Sequence, residues 1–400
     1  MRPGALAAVS LVAAGVGAAI VLVIGSAAGW LDGDSGVRTV VVPTVPTGAD
    51  ASAPAAAPLA GNRFDPARIY ANRSEGVVTI YSYFPNGQRA QGSGFIVSDE
   101  GHILTNSHVV TTSGSGNSGA AVRGADRIYV AFHDGDRIPG TIVGWDLFND
   151  TGLVKIDPKD HAVSPVPLGD SSRVVVGEPV AAIGSPFGQE SSLAVGVVSA
   201  TERSIDSLTS AYDVSDAIQI DAPINHGNSG GPLLDARGRV IGINAQIRSD
   251  SGNAEGVGFA IPINSARRSM VQLISKGKVA YAYVGVTTQD VTPALARRYG
   301  LGAPRGALIQ AVVADAPAAQ AGLRGSSKQE VFNGVPINVG GDLIVGFAGH
   351  KVERAADIAR IVTDSLRPGQ TVSVTVLRRG KGARETVRVR LTERPLNPTR

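Results

Sequence analysis

Between residues 77 and 243 the chain is broken into ten short β-rich segments, a pattern that excludes any architecture built on long helices. The segments are 77–83, 94–97, 103–105, 127–132, 141–143, 153–156, 179–183, 196–200, 218–220 and 240–243. Glycine, serine, proline or aspartate separates most of them, and helical periodicity is almost missing between them. Short strands with turn signals at this spacing predict an all-β barrel or sandwich, and their number suggests two barrels rather than one. The 50 glycines and 23 prolines suit so many turns, while 43% hydrophobic residues are too many for a wholly disordered chain.

The 37 basic and 34 acidic residues leave a net charge of only +3, which makes no case for a nucleic-acid partner. With no cysteine at all, disulfides, cysteine-based metal sites and cysteine nucleophiles are excluded together.

From Ala5 to Trp30 no charge interrupts Ala, Val, Leu, Ile and Gly. That is long enough for a membrane-spanning helix, which needs ~20 residues, and longer than the ~7–15 of a signal-peptide core. Residues 1–30 are therefore expected to form a cytoplasmic stub and anchor, although Ser26-Ala27-Ala28 also offers a cleavage site. Arg2 before the span and Asp32 and Asp34 after it leave the amino end in the cytoplasm and the rest of the chain outside. Residues 31–62, rich in Pro, Ala, Thr and Gly, read as a tether that cannot bury enough surface to fold alone.

Chemistry enters at Gly227-Asn228-Ser229-Gly230-Gly231. A nucleophilic serine needs a turn that projects its hydroxyl and backbone N–H groups aimed at the developing oxyanion, and flanking glycines permit such a turn. The same letters fit the G-x-S-x-G elbow of α/β-hydrolases. That fold places its histidine after the serine in a sheet interleaved with helices, and the only later histidine is His350, in another domain. The order His–Asp–Ser is the remaining solution. His226 is too close to Ser229 in the same loop to serve as its base. His108 lies at the end of an apolar strand-like stretch, Leu104 to Val110, and is expected to be the base. For the orienting acid, Asp150 precedes the strand-like Thr151-Gly152-Leu153-Val154-Lys155-Ile156 and is favoured on position, with Asp146 its rival.

Six blocks contain or accompany these residues. Gly92-Ser93-Gly94-Phe95-Ile96-Val97 through Leu104-Thr105-Asn106-Ser107-His108-Val109-Val110, then Asp150-Thr151-Gly152-Leu153-Val154, Leu168-Gly169-Asp170-Ser171, Gly184-Ser185-Pro186-Phe187-Gly188 and the 224–233 nucleophile block occur in order, followed by Gly256-Val257-Gly258-Phe259-Ala260-Ile261-Pro262. Residues 63–272 thereby resemble the protease domain of the HtrA (Deg-type) serine proteases, a double β-barrel of chymotrypsin-like fold. The resemblance implies a His108, Asp150, Ser229 triad and an oxyanion hole made by the Gly227 and Ser229 N–H groups. It also implies a homotrimer and a substrate site including Ile224, Asn244, Ala245, Gln246 and Ile247. Three positions depart from the family pattern: Ser107 and Ser185 stand where asparagine is usual, and His226 where proline is common. Gly114-Ser115-Gly116-Asn117-Ser118-Gly119 spells a dinucleotide fingerprint, but no helix follows it, so a flexible loop is expected.

Trypsin-like enzymes that cut after Lys or Arg carry an acid on the floor of the specificity pocket. The corresponding residue, six before the serine, is Pro223. With Ile224 and Ile247 at family pocket positions, the pocket is expected to accept Val, Ala, Leu or Ile before the scissile bond. Asn244-Ala245-Gln246 resembles the segment that pairs with an extended substrate backbone, which favours unfolded polypeptide. No basic residue is followed by an Ile-Val-Gly-Gly-like start, so regulation is expected through loops such as 186–192 and 202–217 rather than by cutting a new amino terminus.

Residues 280–394 resemble a PDZ domain of the HtrA type. Tyr283-Val284-Gly285-Val286 stand where such a domain holds a peptide's terminal carboxylate, followed by a Pro-Ala-Ala-rich helix, Ala321-Gly322-Leu323, a strand at 343–347, a helix at 355–364 and strands at 371–377 and 385–391. An insertion at 325–341 carries Asn333-Gly334, a hairpin signal. The expected molecule is mainly β, a double-barrel protease followed by a PDZ domain and preceded by one transmembrane helix. Its expected work is cleavage of unfolded or misfolded extracytoplasmic polypeptides, with carboxyl-terminal peptides as PDZ partners and no metal or cofactor. A peptide-binding scaffold or chaperone with weak or gated proteolysis is the alternative reading, and an esterase a third.

Overall fold

A computed structural model describes residues 64–85, 87–112, 122–185, 192–224, 227–245, 257–380 and 382–396, all within one compact unit, Pro58–Arg400. The expected anchor and tether, residues 1–62, lie outside the described residues. Among the described residues no helix is long and apolar enough to cross a membrane.

After a helix over Pro66–Arg73, capped by the Asp65 carboxylate on the Arg68 N–H, the chain enters the first barrel. Its strands are β1 (Val77–Tyr83), β2 (Arg89–Ile96), β3 (His102–Thr105), β4 (Arg127–Ala131), β5 (Arg137–Asp146) and β6 (Thr151–Lys155). They close in the order β1-β2-β3-β6-β5-β4 with every pair antiparallel. The second barrel has β7 (Pro179–Gly184), β8 (Ser192–Ile205), β9 (Val214–Ile220), β10 (Pro232–Leu234), β11 (Val240–Ala245) and β12 (Gly258–Pro262), closed as β10-β11-β12-β9-β8-β7. Closure removes the exposed edges that short strands would otherwise present. Phe95, Leu104 and Leu153 of the first barrel share one core with Ile183, Leu234 and Ile243 of the second, so the two barrels pack as one body.

A helix over Ile263–Lys276, ended by Gly277 in the left-handed region, leads to the carboxy-terminal domain. There the strands Val286–Val291, Gly306–Val312, Leu343–Phe347, Thr371–Leu377 and Arg384–Arg390 form an antiparallel sheet in that spatial order. The helix Ala355–Ser365 buries Ile358, Ile361 and Val362 in the same core as Val374 and Val389. Ala282–Tyr283 pairs with Thr392–Glu393, which ties the entry of the domain to its exit. The inserted segment is a hairpin of Lys328–Phe332 and Val335–Val339, turned by Asn333 and Gly334 at φ 50° and 81°, the two left-handed positions that an Asn-Gly turn supplies.

Candidate active site

The strand β3 stops at Thr105, and His108 sits on a single helical turn, Ser107–Val110, rather than at the end of an apolar strand. Val109 and Val110 look strand-like in sequence, yet both bury into the first barrel's core from this turn. The short helix leaves the imidazole facing out of that core, with 15% of the side chain exposed.

Asp150 closes the turn between β5 and β6 with φ 44°, a left-handed conformation that costs a residue with a Cβ about 1–2 kcal/mol. The conformation is held by what the residue bonds. Its Oδ1 accepts from Ser107 Oγ at 2.8 Å and from the His108 N–H at 3.0 Å. Its backbone carbonyl accepts from Asn106 Nδ2 at 2.9 Å. That leaves Oδ2 directed at His108 Nδ1, 2.7 Å away. A carboxylate partner requires the proton on Nδ1, so Nε2 is left as the acceptor, the tautomer a general base needs. Burial alone lowers the imidazole pKa, but the Asp150 charge and the hydrogen bond to it outweigh burial and raise it overall.

The rival Asp146 does not reach the histidine. It is buried, and its oxygens accept from Ser269 Oγ, Tyr281 OH and the N–H groups of Phe148 and Asn149. Burial pushes its carboxyl pKa up against those four bonds.

Ser229 stands in a turn between Gly227 at φ 105° and Gly230 at φ 88°. The turn is clamped from both barrels. The Ser93 N–H of β2 donates to the Ser229 carbonyl at 2.8 Å, and Ser93 Oγ donates to the Gly227 carbonyl at 2.5 Å. On the other side the Gly230 N–H donates to the Asn244 carbonyl at 2.9 Å. A Cβ at Gly230 would overlap the Ser93 carbonyl oxygen and Thr105 Oγ1, so glycine is required there for space as well as for φ. Ser229 is 5% exposed and its Oγ has no hydrogen-bond partner among the described residues. The N–H groups of Gly227 and Ser229 likewise donate no bond among the described residues, leaving two donors at the turn.

The first barrel therefore brings His108 and Asp150 into direct contact, and Ser93 holds the Ser229 turn against that barrel. Ser93 was seen only inside a motif and Ser107 only as a departure from the family pattern, and neither was given a role from sequence. The Gly92-Ser93-Gly94 run and the serine beside His108 were visible, but what their hydroxyls bond was not.

Ile224 is half-buried against Ile218, Ile220 and Ala222 of the second barrel. Asn244 is fully buried on β11. Its N–H and carbonyl engage Gly231 and Gly230, and its Nδ2 donates to the Pro232 carbonyl at 3.2 Å, so it braces the nucleophile turn. Ala245 pairs with Phe259 of β12. Gln246 and Ile247, with His226, the loop-like glycines at 114–119 and most of 186–192, lie outside the described residues. In the carboxy-terminal domain Tyr283 pairs with Thr392, and the Val284 and Gly285 carbonyls accept from Ala318 and Val313. Gly285, at φ 79°, packs directly on the Ala316 methyl, and Val286 begins the first strand of the sheet. Among the described residues no three His, Cys, Asp or Glu side chains are grouped to hold a metal.

Comparison with known proteins finds relatives of both domains. Residues 92–243 match the trypsin-like peptidase domain family and residues 282–391 the PDZ domain family. A probable periplasmic serine endoprotease, DegP-like, of Marinomonas sp. (strain MWYL1) is 39% identical over 313 residues, covering 78% of this chain and 59% of that protein. The chain thus spans little more than half the length of the curated relatives it matches. Among solved structures, the HtrA-type protease AlgW with tripeptide is 34% identical with a TM-score of 0.67, covering 83% of this chain and 98% of that one. The serine endoprotease from Yersinia pestis is 29% identical with a TM-score of 0.58, again covering 83% and 98%.

Proposed function

The chain belongs to the HtrA family of trypsin-like proteases with a PDZ domain, and from that premise we propose that it is a serine endopeptidase of unfolded or misfolded extracytoplasmic polypeptides. The observation that carries the reading is the His108–Asp150 pair, locked in the base tautomer on the barrel to which the Ser229 turn is clamped. In the reaction, His108 Nε2 takes the Ser229 proton as Oγ attacks the scissile carbonyl carbon. The Gly227 and Ser229 N–H groups receive the oxyanion. His108 then delivers the proton to the leaving amine, and water, activated by the same imidazole, releases the acyl group. Asp150 holds the imidazole in place throughout and stabilises the imidazolium.

Pro223 in place of a pocket-floor acid, with the apolar Ile224 and Ile247, supports cleavage after small aliphatic residues. Residues 63–272 are assigned to the protease, 280–394 to the PDZ domain with Tyr283–Val286 as its carboxylate loop, 31–62 to a tether and 1–30 to a membrane anchor. A homotrimer held through the protease domains completes the reading. Regulation through the 202–217 stretch is supported by its contacts with the PDZ domain. Arg354 pairs with Glu202 at 2.8 Å, and the Arg394 guanidinium lies 5.2 Å from the Tyr212 ring centre.

The full chain, purified in detergent, is expected to degrade reduced casein into fragments ending in Val, Ala, Leu or Ile, and to be labelled by a fluorophosphonate at Ser229. Absence of both, with and without added carboxyl-terminal peptides, overturns the reading. The second reading, a PDZ scaffold with gated proteolysis, is favoured by the Ser229 hydroxyl, which has no hydrogen-bond partner among the described residues. It is distinguished by peptide binding without stimulation of cleavage.

The raised His108 pKa sets the acid limb of the pH profile. The base works only when deprotonated, so activity is lost as pH falls through that raised value. A plot of kcat/KM against pH is therefore expected to show a free-enzyme pKa above the ~6.5 of an unperturbed imidazole.

A further inference from the structure

Asp146, the carboxylate passed over for the triad, ends β5 four residues before Asp150, and it is buried without a cationic partner among the described residues. Burying such a group serves the fold poorly, since apolar packing would be at least as stable, so its retention asks for a positional reason. The bonds around it supply one. Tyr281 OH donates to Asp146 Oδ2 at 2.5 Å, and Ser269 Oγ donates to the same oxygen at 2.6 Å. Asp146 Oδ1 accepts from the Phe148 N–H at 2.9 Å. Tyr281 OH in turn accepts from Asn149 Nδ2 at 2.6 Å. The Asn149 carbonyl accepts from Thr151 Oγ1 at 3.1 Å, so the residues on both sides of Asp150 are fixed. Asp150 itself holds a left-handed backbone, which persists only where its surroundings over-determine it.

The phenol is held in turn. The Tyr281 ring meets Phe148 edge-on at 5.3 Å, the Arg394 guanidinium lies 5.5 Å from its centre, and the Arg394 N–H donates to the Tyr281 carbonyl at 2.9 Å. Tyr281 lies between the helix Ile263–Lys276 and the first strand of the carboxy-terminal domain, and Arg394 follows that domain's last strand.

We propose that Tyr281 and Asp146 are positioning residues for the reaction: through the Tyr281–Asp146–Asn149 hydrogen bonds they hold the turn that aims Asp150 at His108. Tyr281 thereby makes the junction with the carboxy-terminal domain a structural part of the catalytic acid's support. The proposal rests on the serine-endopeptidase reading, and its test is chosen so that the two can fail separately.

Tyr281→Phe keeps the ring for Phe148 and Arg394 and deletes only the hydroxyl. With Asp150 less firmly held, kcat for casein-derived peptides is expected to fall about tenfold, with KM changed less than about twofold. The acid limb moves to lower pH, because a carboxylate that bonds the imidazole less well raises its pKa less. The proton shared by His108 Nδ1 and Asp150 is expected as a low-field proton resonance in the parent protein, and to broaden or shift upfield in the variant. A lower melting temperature with kcat, acid limb and resonance all unchanged overturns the proposal. If the parent protein hydrolyses nothing, the endopeptidase reading falls, and the resonance alone decides the positioning role. If Tyr281→Phe does not fold, Ser269→Ala removes another donor to Asp146 and is read by the same three measurements, with the same outcomes supporting or overturning the proposal.

Discussion

Replacing Ser229 by alanine is expected to lower kcat for polypeptide hydrolysis by about six orders of magnitude, the scale on which a triad fails when its nucleophile is removed. The size follows from the site. Ser229 Oγ is the hydroxyl displayed by the turn between Gly227 and Gly230, and no cysteine exists anywhere in the chain to replace it. Asp150→Asn is expected to cost less, about four orders of magnitude, because the nucleophile and oxyanion donors survive. In that variant the amide oxygen is taken by the His108 N–H, so the amide NH2 faces Nδ1 and the imidazole presents the wrong tautomer to Ser229. The double variant should be little worse than Ser229→Ala alone, since both residues act through one proton transfer. Steady-state and single-turnover rates on one peptide substrate check all three variants. A Ser229→Ala protein retaining more than about a hundredth of the parent rate would remove Ser229 from the mechanism.

The second large effect concerns stability. Gly230→Ala is expected to destabilise the protein by about 3 kcal/mol or more, the sum of forcing an alanine to φ 88° and driving its methyl into the Ser93 carbonyl and Thr105 Oγ1. In a protease domain of this size that corresponds to a fall of roughly 10 °C in melting temperature. Neither obstacle can move cheaply. The Ser93 carbonyl already accepts from Thr105 Oγ1 at 2.6 Å, and Thr105 is fully buried at the end of β3. Activity is expected to fall with stability, because the methyl pushes on the contact that clamps the Ser229 turn to the first barrel. Gly238→Ala is the control. It also has positive φ, but its methyl would meet only the flexible Arg73 side chain, at 3.0 Å, so it should cost little beyond the backbone strain. Equal losses in the two variants, measured by thermal denaturation, would show that space at Gly230 is not limiting.

How much of this was legible depended on the range of the interaction. The two barrels follow from short β-rich segments closed by turn residues, and the Asn333-Gly334 hairpin from two adjacent residues that tolerate positive φ. Gly227 to Gly231 announce a strained turn for the same local reason. His108 was named from sequence as the candidate base, but its place on a helical turn was not foreseen. Val109 and Val110 are equally good in a strand, and the bond that ties Asn106 to the Asp150 carbonyl spans 44 residues, beyond any local pattern.

The order of the histidine, aspartate and serine, the apolar character of Pro223, Ile224 and Ile247 and the presence of two kinds of domain are properties of the chain itself. They rest on residue type and local spacing, which folding does not alter. Position favoured Asp150 over Asp146 and the family resemblance implied it, but the contacts each carboxylate makes appear only in three dimensions. Asp146 and Asp150 differ by one turn of chain, yet one meets His108, 42 residues earlier, and the other meets Tyr281, 135 residues later. Ser93 reaches Gly227 across 134 residues in the same way. Hydrogen bonds act over about 3 Å, so their partners are set by how closed barrels bring distant strands together, and no local pattern records that choice.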